Sequence, residues 1–182
     1  MLPVVLWWLL FLLFGWIGLS FTFYLLPHLP DRGYAFGKTL TLLFLSYLLW
    51  LLASGHVLPN TRATIVLILL ALAALSFWLF WRRRQEMKAF LSREWKTIVI
   101  TETIFTGALF VWAIVRSYTP DLVYGEKLMD FGFLNSTLRS QYFPPHDPWL
   151  SGYSISYYYF GYVMMNAVAK LTGVSPAISY NI

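Results

Sequence analysis

The sequence predicts an all-α protein that crosses a membrane several times. Hydrophobic residues make up 59% of the 182 residues and charged residues only 12%, about half the charged share of an average soluble domain. Five apolar segments reach the length of about 20 residues that a membrane-spanning helix needs. Short links rich in proline and glycine separate the first three segments, as expected for helical hairpins.

The predicted spans are residues 3–26, 37–58, 63–81, 97–115 and 153–172. The first three form one region, residues 1–81, whose turns lie at 27–33 and 58–61. The N-terminus lacks the basic start and the small-residue cleavage site of a signal peptide, so we expect the first segment to be retained as a helix. The last region, residues 97–182, contains the fourth span, a loop at 116–152 and the fifth span.

Residues 82–96 differ from the spans on either side because they carry six of the thirteen lysines and arginines. Apolar side chains recur there at helical spacing, at Met87, Phe90, Leu91 and Trp95. This pattern predicts a basic amphipathic helix in the headgroup region. Basic residues concentrate on the cytoplasmic side of membrane spans, so we place this segment in the cytoplasm, with Arg82 to Arg84 as a topology anchor. The loop 116–152, one span later, is then extracytoplasmic on the cell membrane.

Composition also excludes several classes of site. The net charge of +5 comes mostly from the one amphipathic segment, and no basic face of a soluble module indicates nucleic-acid binding. The chain has no cysteine, which excludes disulfides, thiolate nucleophiles and cysteine-ligated metals. The partner that the composition does indicate is the lipid bilayer.

The loop holds four of the eight acidic residues, Asp121, Glu126, Asp130 and Asp147. Glu126 and Asp130 are four residues apart and would share one face of a helix that begins near Gly125. Such a pair can act as general base and electrostatic stabiliser, or can hold a divalent cation through oxygen ligands. The alternative is a helix cap and a surface ion pair with Lys127 or Arg139. Asp121 follows a proline and is expected to be a turn residue.

Downstream of these acids the chain becomes rich in proline and aromatic residues. The run from Pro144 to Trp149 is too proline-rich for a helix and predicts an extended turn that holds Asp147 at the membrane surface. The Asp147 side chain can stabilise this turn through an Asx contact with nearby backbone, or it can contact a ligand. His146 has no second histidine at ligand spacing, so we assign no metal ligand. The triplet Tyr157, Tyr158 and Tyr159 is expected in the first turns of the fifth helix, as an interfacial belt with some rings facing protein or ligand.

Glu102 is an ionisable residue five positions into the fourth span. Charged groups within a span are costly and are functional hypotheses by default. Because Glu102 lies near the start of its span, we expect its carboxylate to reach the interface or to pair with Lys96.

These motifs occur together in a known family. The runs Glu126–Phe131, Phe133–Asn135, Pro144–Trp149 and Tyr157–Gly161, with the turn Pro30–Tyr34, resemble the "YYY" integral membrane family, which is named for its tyrosine triplet. That family is similar to the C-type glycosyltransferases, multi-span enzymes that take a sugar from a polyprenyl-phosphate donor at the extracytoplasmic surface. Family members are longer, so the resemblance implies that the chain is the N-terminal part of a larger bundle.

The resemblance implies glycosyl transfer from a polyprenyl-phosphate-linked sugar. Glu126 or Asp130 would deprotonate the acceptor, and Lys127 or Arg139 would neutralise the leaving phosphate. The other substrate contacts would come from Asp147, Trp149, Tyr157, Tyr158 and Tyr159. A divalent cation stays open as a cofactor. The alternative is a non-enzymatic membrane protein, either a transporter subunit or a scaffold, in which the acids gate or coordinate ions.

Overall fold

The computed structural model describes residues 1–122 and 125–182, and this part of the chain is helical without any strand. The predicted fold class is therefore confirmed. The helices are α1 (Leu2–Leu25), α2 (Gly37–Ser54, preceded by a 3₁₀ turn at Tyr34–Phe36), α3 (Arg62–Arg82), α4 (Arg84–Arg93), α5 (Trp95–Tyr118), α6 (Lys127–Arg139), α7 (Phe160–Thr172) and α8 (Pro176–Ser179).

Four helical segments are long and apolar enough to cross a membrane: Leu2–Leu25, Tyr34–Ser54, Arg62–Arg82 and Trp95–Tyr118. The predicted fifth span is wrong in its first part, because α7 begins only at Phe160. Its 13 residues rise about 20 Å, less than the roughly 30 Å of a bilayer's hydrocarbon core. Residues 153–155 do not extend the helix because their backbone bonds to the loop instead: the Tyr153 carbonyl accepts from Asp147, and the Ile155 amide donates to Pro145.

Helices α1 and α2 form an antiparallel hairpin with very close backbones. The hydroxyl of Thr41 donates to the carbonyl of Phe14 at 2.7 Å, and further along Gly18 faces Gly37. A Cβ added at Gly18 would lie 1.9 Å from the Gly37 carbonyl oxygen. Only hydrogen fits there, so glycine permits this approach of the two backbones.

Helix α3 runs in the same direction as α1 and packs beside it. The Ser76 hydroxyl donates to the Ile17 carbonyl at 2.8 Å, and the Tyr24 hydroxyl donates to the Leu79 carbonyl at 3.2 Å. Both bonds give side-chain hydroxyls a partner that lipid cannot provide.

Helix α5 runs antiparallel to α1 along the outside of the bundle. The Trp8 indole donates to the Thr106 hydroxyl at 3.0 Å, and the rings of Phe11 and Phe105 have centroids 5.9 Å apart. The 24 residues of α5 extend about 36 Å and separate α4 at its start from α6 beyond its end. The basic segment and the described part of the predicted loop therefore lie at opposite ends of the bundle. Loop positions 123 and 124 lie outside the described residues.

An ion pair attaches α5 to α2. The Glu102 carboxylate pairs with Lys38 and accepts a hydrogen bond from the Tyr34 hydroxyl at 2.9 Å. The prediction that Glu102 pairs with Lys96 is therefore wrong. Lys38 also lies 4.7 Å from the centre of the Phe105 ring. Because α5 buries none of its own residues, these polar contacts carry much of its attachment.

The apolar core lies at the ends of α1, α2 and α3 that are nearest to α6. Helix α7 packs against the three helices there. Its fully buried members include Phe14, Leu45, Leu49, Ile65, Val163 and Val168. At the opposite end, Met87 and Phe90 of α4 are buried against Leu19 and Phe23 of α1. The amphipathic helix predicted within 82–96 is thus present as α4, but its apolar side packs on protein.

We predict that Gly18→Ala destabilises the bundle by about 1 to 3 kcal/mol, because the new methyl group meets a backbone carbonyl that cannot rotate away. Thermal unfolding of the purified protein in detergent measures the change. Gly107→Ala is the matched control, because a Cβ at Gly107 has no atom within 4 Å. Equal effects of the two substitutions would contradict the packing assigned to Gly18.

We predict that Glu102→Gln loosens α5, because it leaves the Lys38 ammonium buried without its counter-charge. The chain has no cysteine, so Trp8→Cys and Thr106→Cys introduce the only thiols, and a short thiol crosslinker reports the α1–α5 distance. The crosslink yield should fall in Glu102→Gln. It should recover when both members of the pair are replaced by methionine, since removal of a whole buried pair is far less costly. An unchanged yield in Glu102→Gln would show that the pair does not hold α5.

Candidate functional site

The two predicted catalytic acids lie at the start of α6, as their spacing indicates. The Asp130 amide donates to the Glu126 carbonyl at 2.9 Å, which places the two residues one turn apart. Glu126 occupies the N-cap position, but its side chain makes no capping hydrogen bond and is exposed. Within the described residues neither acid forms an ion pair. The alternative of a cap and a surface ion pair is thus not what the structure contains.

Asp130 is held by two phenols from the C-terminal part of the chain. The Tyr162 hydroxyl donates to Oδ1 at 2.7 Å, and the Tyr180 hydroxyl donates to Oδ2 at 3.3 Å. Burial raises the pKa of both tyrosines above the ordinary value, and the Asp130 carboxylate raises it further. Both phenols therefore stay protonated at neutral pH, and they orient the carboxylate as fixed donors.

A cationic side chain at the end of α5 completes this group. Arg116 donates to the Asn181 amide oxygen, while the Asn181 nitrogen donates to the Ala177 carbonyl at 2.8 Å. The Arg116 charge lowers the pKa of Tyr180. Burial and the Asp130 carboxylate raise it by more, so the pKa stays above its ordinary value. Arg116, Tyr180 and Asn181 were not among the predicted site residues, because residues so far apart along the chain have no spacing that connects them.

Arg139 lies on the opposite face of α6 from Asp130. Nine residues separate the two in the sequence, which is about two and a half turns of helix. Lys127, only three residues before Asp130, is on the same side as the acid. The structure therefore brings Glu126, Lys127 and Asp130 together and separates Arg139 from them.

The Arg139 face of α6 lines a cleft of about 370 Å³. Polar side chains around it are Asn135, Ser136, Arg139, Ser140, His146 and Asp147. The predicted extended turn supplies one wall, and Ser136 and Ser140 bond to the backbone of His146. Asp147 Oδ1 accepts from the amides of Trp149 at 2.8 Å and Leu150 at 2.9 Å. The Asp147 side chain thus stabilises the turn by accepting from two backbone amides, which is one of the two roles left open.

Trp149 and the first tyrosine of the triplet pack on Phe133 of α6. The Trp149 ring meets the Phe133 ring edge-on at 5.3 Å, and Tyr157 stacks on Phe133 at 5.5 Å. A Cβ added at Gly132 would lie 2.7 Å from the Trp149 ring, so glycine makes room for the indole. These contacts fix α6 against the segment that precedes α7.

The tyrosine triplet precedes α7, in contrast to the predicted position in its first turns. Tyr158 is 85% exposed. The Tyr159 hydroxyl accepts a hydrogen bond from the Trp50 indole at 2.8 Å and so connects this segment to α2. With Tyr157 stacked on α6, the three neighbouring rings therefore have three different surroundings.

A buried polar network anchors α6 and α7 to the link between α2 and α3. The Asn60 side chain donates to the carbonyls of Thr137 at 2.9 Å and Ser140 at 3.0 Å, and accepts from Asn166 at 2.8 Å. Lys170 donates to the Asn60 carbonyl. The Asn60 amide thus satisfies two carbonyls at the end of α6 inside the protein, where helix carbonyls lack partners within the helix itself.

A metal site in this chain would need oxygen and nitrogen ligands, because the sequence has no cysteine. Over residues 1–122 and 125–182, no three acids or histidines lie close enough together to hold a metal ion. Both carboxylate oxygens of Asp130 accept hydrogen bonds from tyrosine hydroxyls.

Comparison with known proteins places the chain among membrane proteins. A family model described as an uncharacterized membrane protein (DUF2298) matches residues 44–182. The match includes α6, the proline-rich turn and the tyrosine triplet. No curated protein and no solved structure matches the chain.

We predict a pH-dependent contribution of Lys170 to stability. Burial lowers the pKa of Lys170 from its ordinary 10.5 to about 8, so between these values the unfolded chain binds more protons than the folded one. Stability then rises with pH across this window. Thermal unfolding of the wild type and of Lys170→Met, followed from pH 7 to pH 10, should show the wild type gaining on the variant above about pH 8. A difference that stays constant with pH would contradict the assignment.

Proposed function

The chain belongs to the uncharacterized membrane protein family DUF2298, and we propose that it transfers a sugar from a polyprenyl-phosphate donor to an acceptor hydroxyl. The observation that carries this proposal is the Asp130 carboxylate, which two phenols orient at one end of a bundle of membrane spans. Lys127 shares its side of α6, and Arg116 bonds to Asn181 next to Tyr180. The similarity between the "YYY" family and the C-type glycosyltransferases supports the same reaction class.

In the proposed reaction Asp130 is the general base. It takes the proton of the acceptor hydroxyl, whose oxygen attacks the anomeric carbon of the sugar while the bond from that carbon to the phosphate oxygen breaks. The phosphate leaves with the electron pair, still attached to its polyprenyl chain. A single displacement inverts the anomeric configuration. Each carboxylate oxygen has two lone pairs, so the bonds from Tyr162 and Tyr180 leave Asp130 able to accept the proton.

We assign the leaving phosphate to Lys127 and Arg116. Lys127 shares the Asp130 side of α6, and Arg116 bonds to Asn181 beside Tyr180. Cations placed where negative charge develops stabilise the transition state. Arg139, the other cation considered from the sequence, faces the separate cleft that also contains His146. This position favours contacts with a second part of the substrate or with the acceptor.

We place this site on the extracytoplasmic side of the cell membrane. Helix α4 carries several basic residues at the other end of α5, and basic segments next to spans are retained in the cytoplasm. The polyprenyl chain of the donor would lie in the bilayer, with its phosphate and sugar at the surface where α6 lies.

A second candidate function is ion-coupled transport, and the Lys38–Glu102 pair is the observation that favours it. Ionisable residues within spans commonly mark ion or proton pathways. On this hypothesis Glu102→Gln abolishes transport while substitutions of Asp130 have little effect. The two candidates therefore depend on different residues.

We predict that Asp130→Asn lowers sugar transfer by about 10²-fold or more, which is the lower end of the range for loss of a general base. Tyr162→Phe should lower it less, because the base remains but loses one orienting bond. The measurement is turnover of a radiolabelled polyprenyl-phosphate sugar by the full-length protein in membrane vesicles. Asp121→Asn is the matched control, since Asp121 is an exposed acid of the same loop.

Retained transfer in Asp130→Asn, in protein that inserts and folds normally, would reject the proposed mechanism. A larger loss in Glu126→Gln than in Asp130→Asn would assign the base to Glu126. Absence of sugar transfer by the wild type, together with ion-coupled transport that Glu102→Gln abolishes, would favour the transport alternative.

A further inference from the structure

A cleft of about 480 Å³ lies between α2 and the tyrosine segment before α7. Aromatic rings form most of its lining, from Tyr47, Trp50, Tyr157, Tyr158, Tyr159 and Phe160. No carboxylate, ammonium or guanidinium group contributes to this lining. A ligand in the cleft would therefore contact ring faces and hydrocarbon edges.

One hydrogen bond joins two residues of the wall. The Trp50 indole nitrogen donates to the Tyr159 hydroxyl at 2.8 Å, which satisfies the single donor of the indole. The Phe160 ring meets Trp50 edge-on at 6.3 Å, and Tyr47 packs on the other side of Trp50 at 6.0 Å. These ring contacts hold the wall in one arrangement, and aromatic rings make up most of the surface towards the cleft.

The cleft opens at the depth of the bilayer. Trp50 and Tyr47 lie four and seven residues before α2 ends at Ser54, which is about 6 and 10 Å below that end. The Tyr47 side chain is about half exposed, and Tyr158 is largely exposed. The exposed Tyr47 ring lies on the span α2, and the exposed Tyr158 ring lies on the segment before α7, so a chain can enter the cleft sideways from the hydrocarbon region.

A single ring connects the cleft to the Asp130 site. Phe133 stacks on Tyr157, which lines the cleft, and it also contacts the Tyr162 ring at 5.7 Å. The Tyr162 hydroxyl in turn donates to Asp130. A lipid whose chain occupies the cleft therefore has its polar head close to the acidic end of α6.

We infer that this cleft binds the phosphate-proximal isoprene units of the donor's polyprenyl chain, an inference that rests on the proposed function. Unsaturated, branched isoprene units present flat surfaces that stack on aromatic rings. A cavity of this size accommodates a drug-sized part of a ligand, which corresponds to a few isoprene units. The head group would then extend past Phe133 towards Lys127 and Asp130.

The test uses the full-length protein in nanodiscs of phosphatidylcholine and phosphatidylglycerol. A polyprenyl phosphate with a photoreactive group near its phosphate end, and without sugar, is crosslinked and the labelled peptides are mapped by mass spectrometry. We expect labelling within residues 47–50 or 157–161. Excess unlabelled polyprenyl phosphate should remove it, whereas excess phosphatidylglycerol should not.

Two variants test the cleft itself. Trp50→Ala should lower specific labelling by about tenfold, because one ring wall and its hydrogen bond are lost. Tyr158→Ala should lower it by about threefold without affecting folding, because this ring is largely exposed and packs edge-on against Tyr157. Trp112→Ala is the matched control, since Trp112 is an exposed tryptophan of α5 outside the cleft, and it should leave labelling unchanged.

Equal competition by phosphatidylglycerol, or unchanged labelling in Tyr158→Ala, would overturn the inference. Labelling does not require transfer, so the two proposals can fail separately. Specific labelling in a protein that transfers no sugar supports the chain site and rejects the proposed reaction. Transfer without specific labelling of the cleft rejects the site alone.

Discussion

The close approach of α1 and α2 at Gly18 and Gly37 is the constraint on which the rest of the structure depends. With no side chain between the backbones, the first turn of α2 lies directly against α1, and the Lys38 side chain passes Gly15 on its way to Glu102. Helix α5 buries no residue of its own. The position of α5 therefore depends in large part on an ion pair that the glycine contact makes possible.

The same requirement for satisfied polar groups shapes the other end of the bundle. Lipid offers no hydrogen-bond partners, so polar groups near the spans must find them within the protein. Asn60 bonds to the last carbonyls of α6 and to Asn166 of α7. One buried amide thus positions both helices relative to the α2–α3 link, and the acidic face of α6 comes to lie against the phenols of Tyr162 and Tyr180.

This arrangement has an order that suits a lipid-linked substrate. An aromatic cleft lies at bilayer depth, Phe133 lies next to it, and the Asp130 carboxylate with its neighbouring cations lies beyond. The second cleft, with Arg139 and His146, occupies the opposite face of α6 and is separated from the acid by the helix itself. The loop therefore presents two distinct polar surfaces, where the sequence indicated a single cluster of charged groups.

The sequence by itself determined the properties that depend on neighbouring residues. Hydropathy over some 20 residues identified the four spans, helical spacing identified α4, and proline content identified the extended turn. Contacts between distant residues were decided only by the tertiary structure. Hydropathy could not distinguish a fifth span from a short helix after an extended segment, because the backbone bonds of residues 153–155 to the loop leave no local pattern. The partner of Glu102 and the two phenols that bond to Asp130 could not be predicted from the sequence either. Packing of the helices brings these residues together, and no spacing along the chain indicates it.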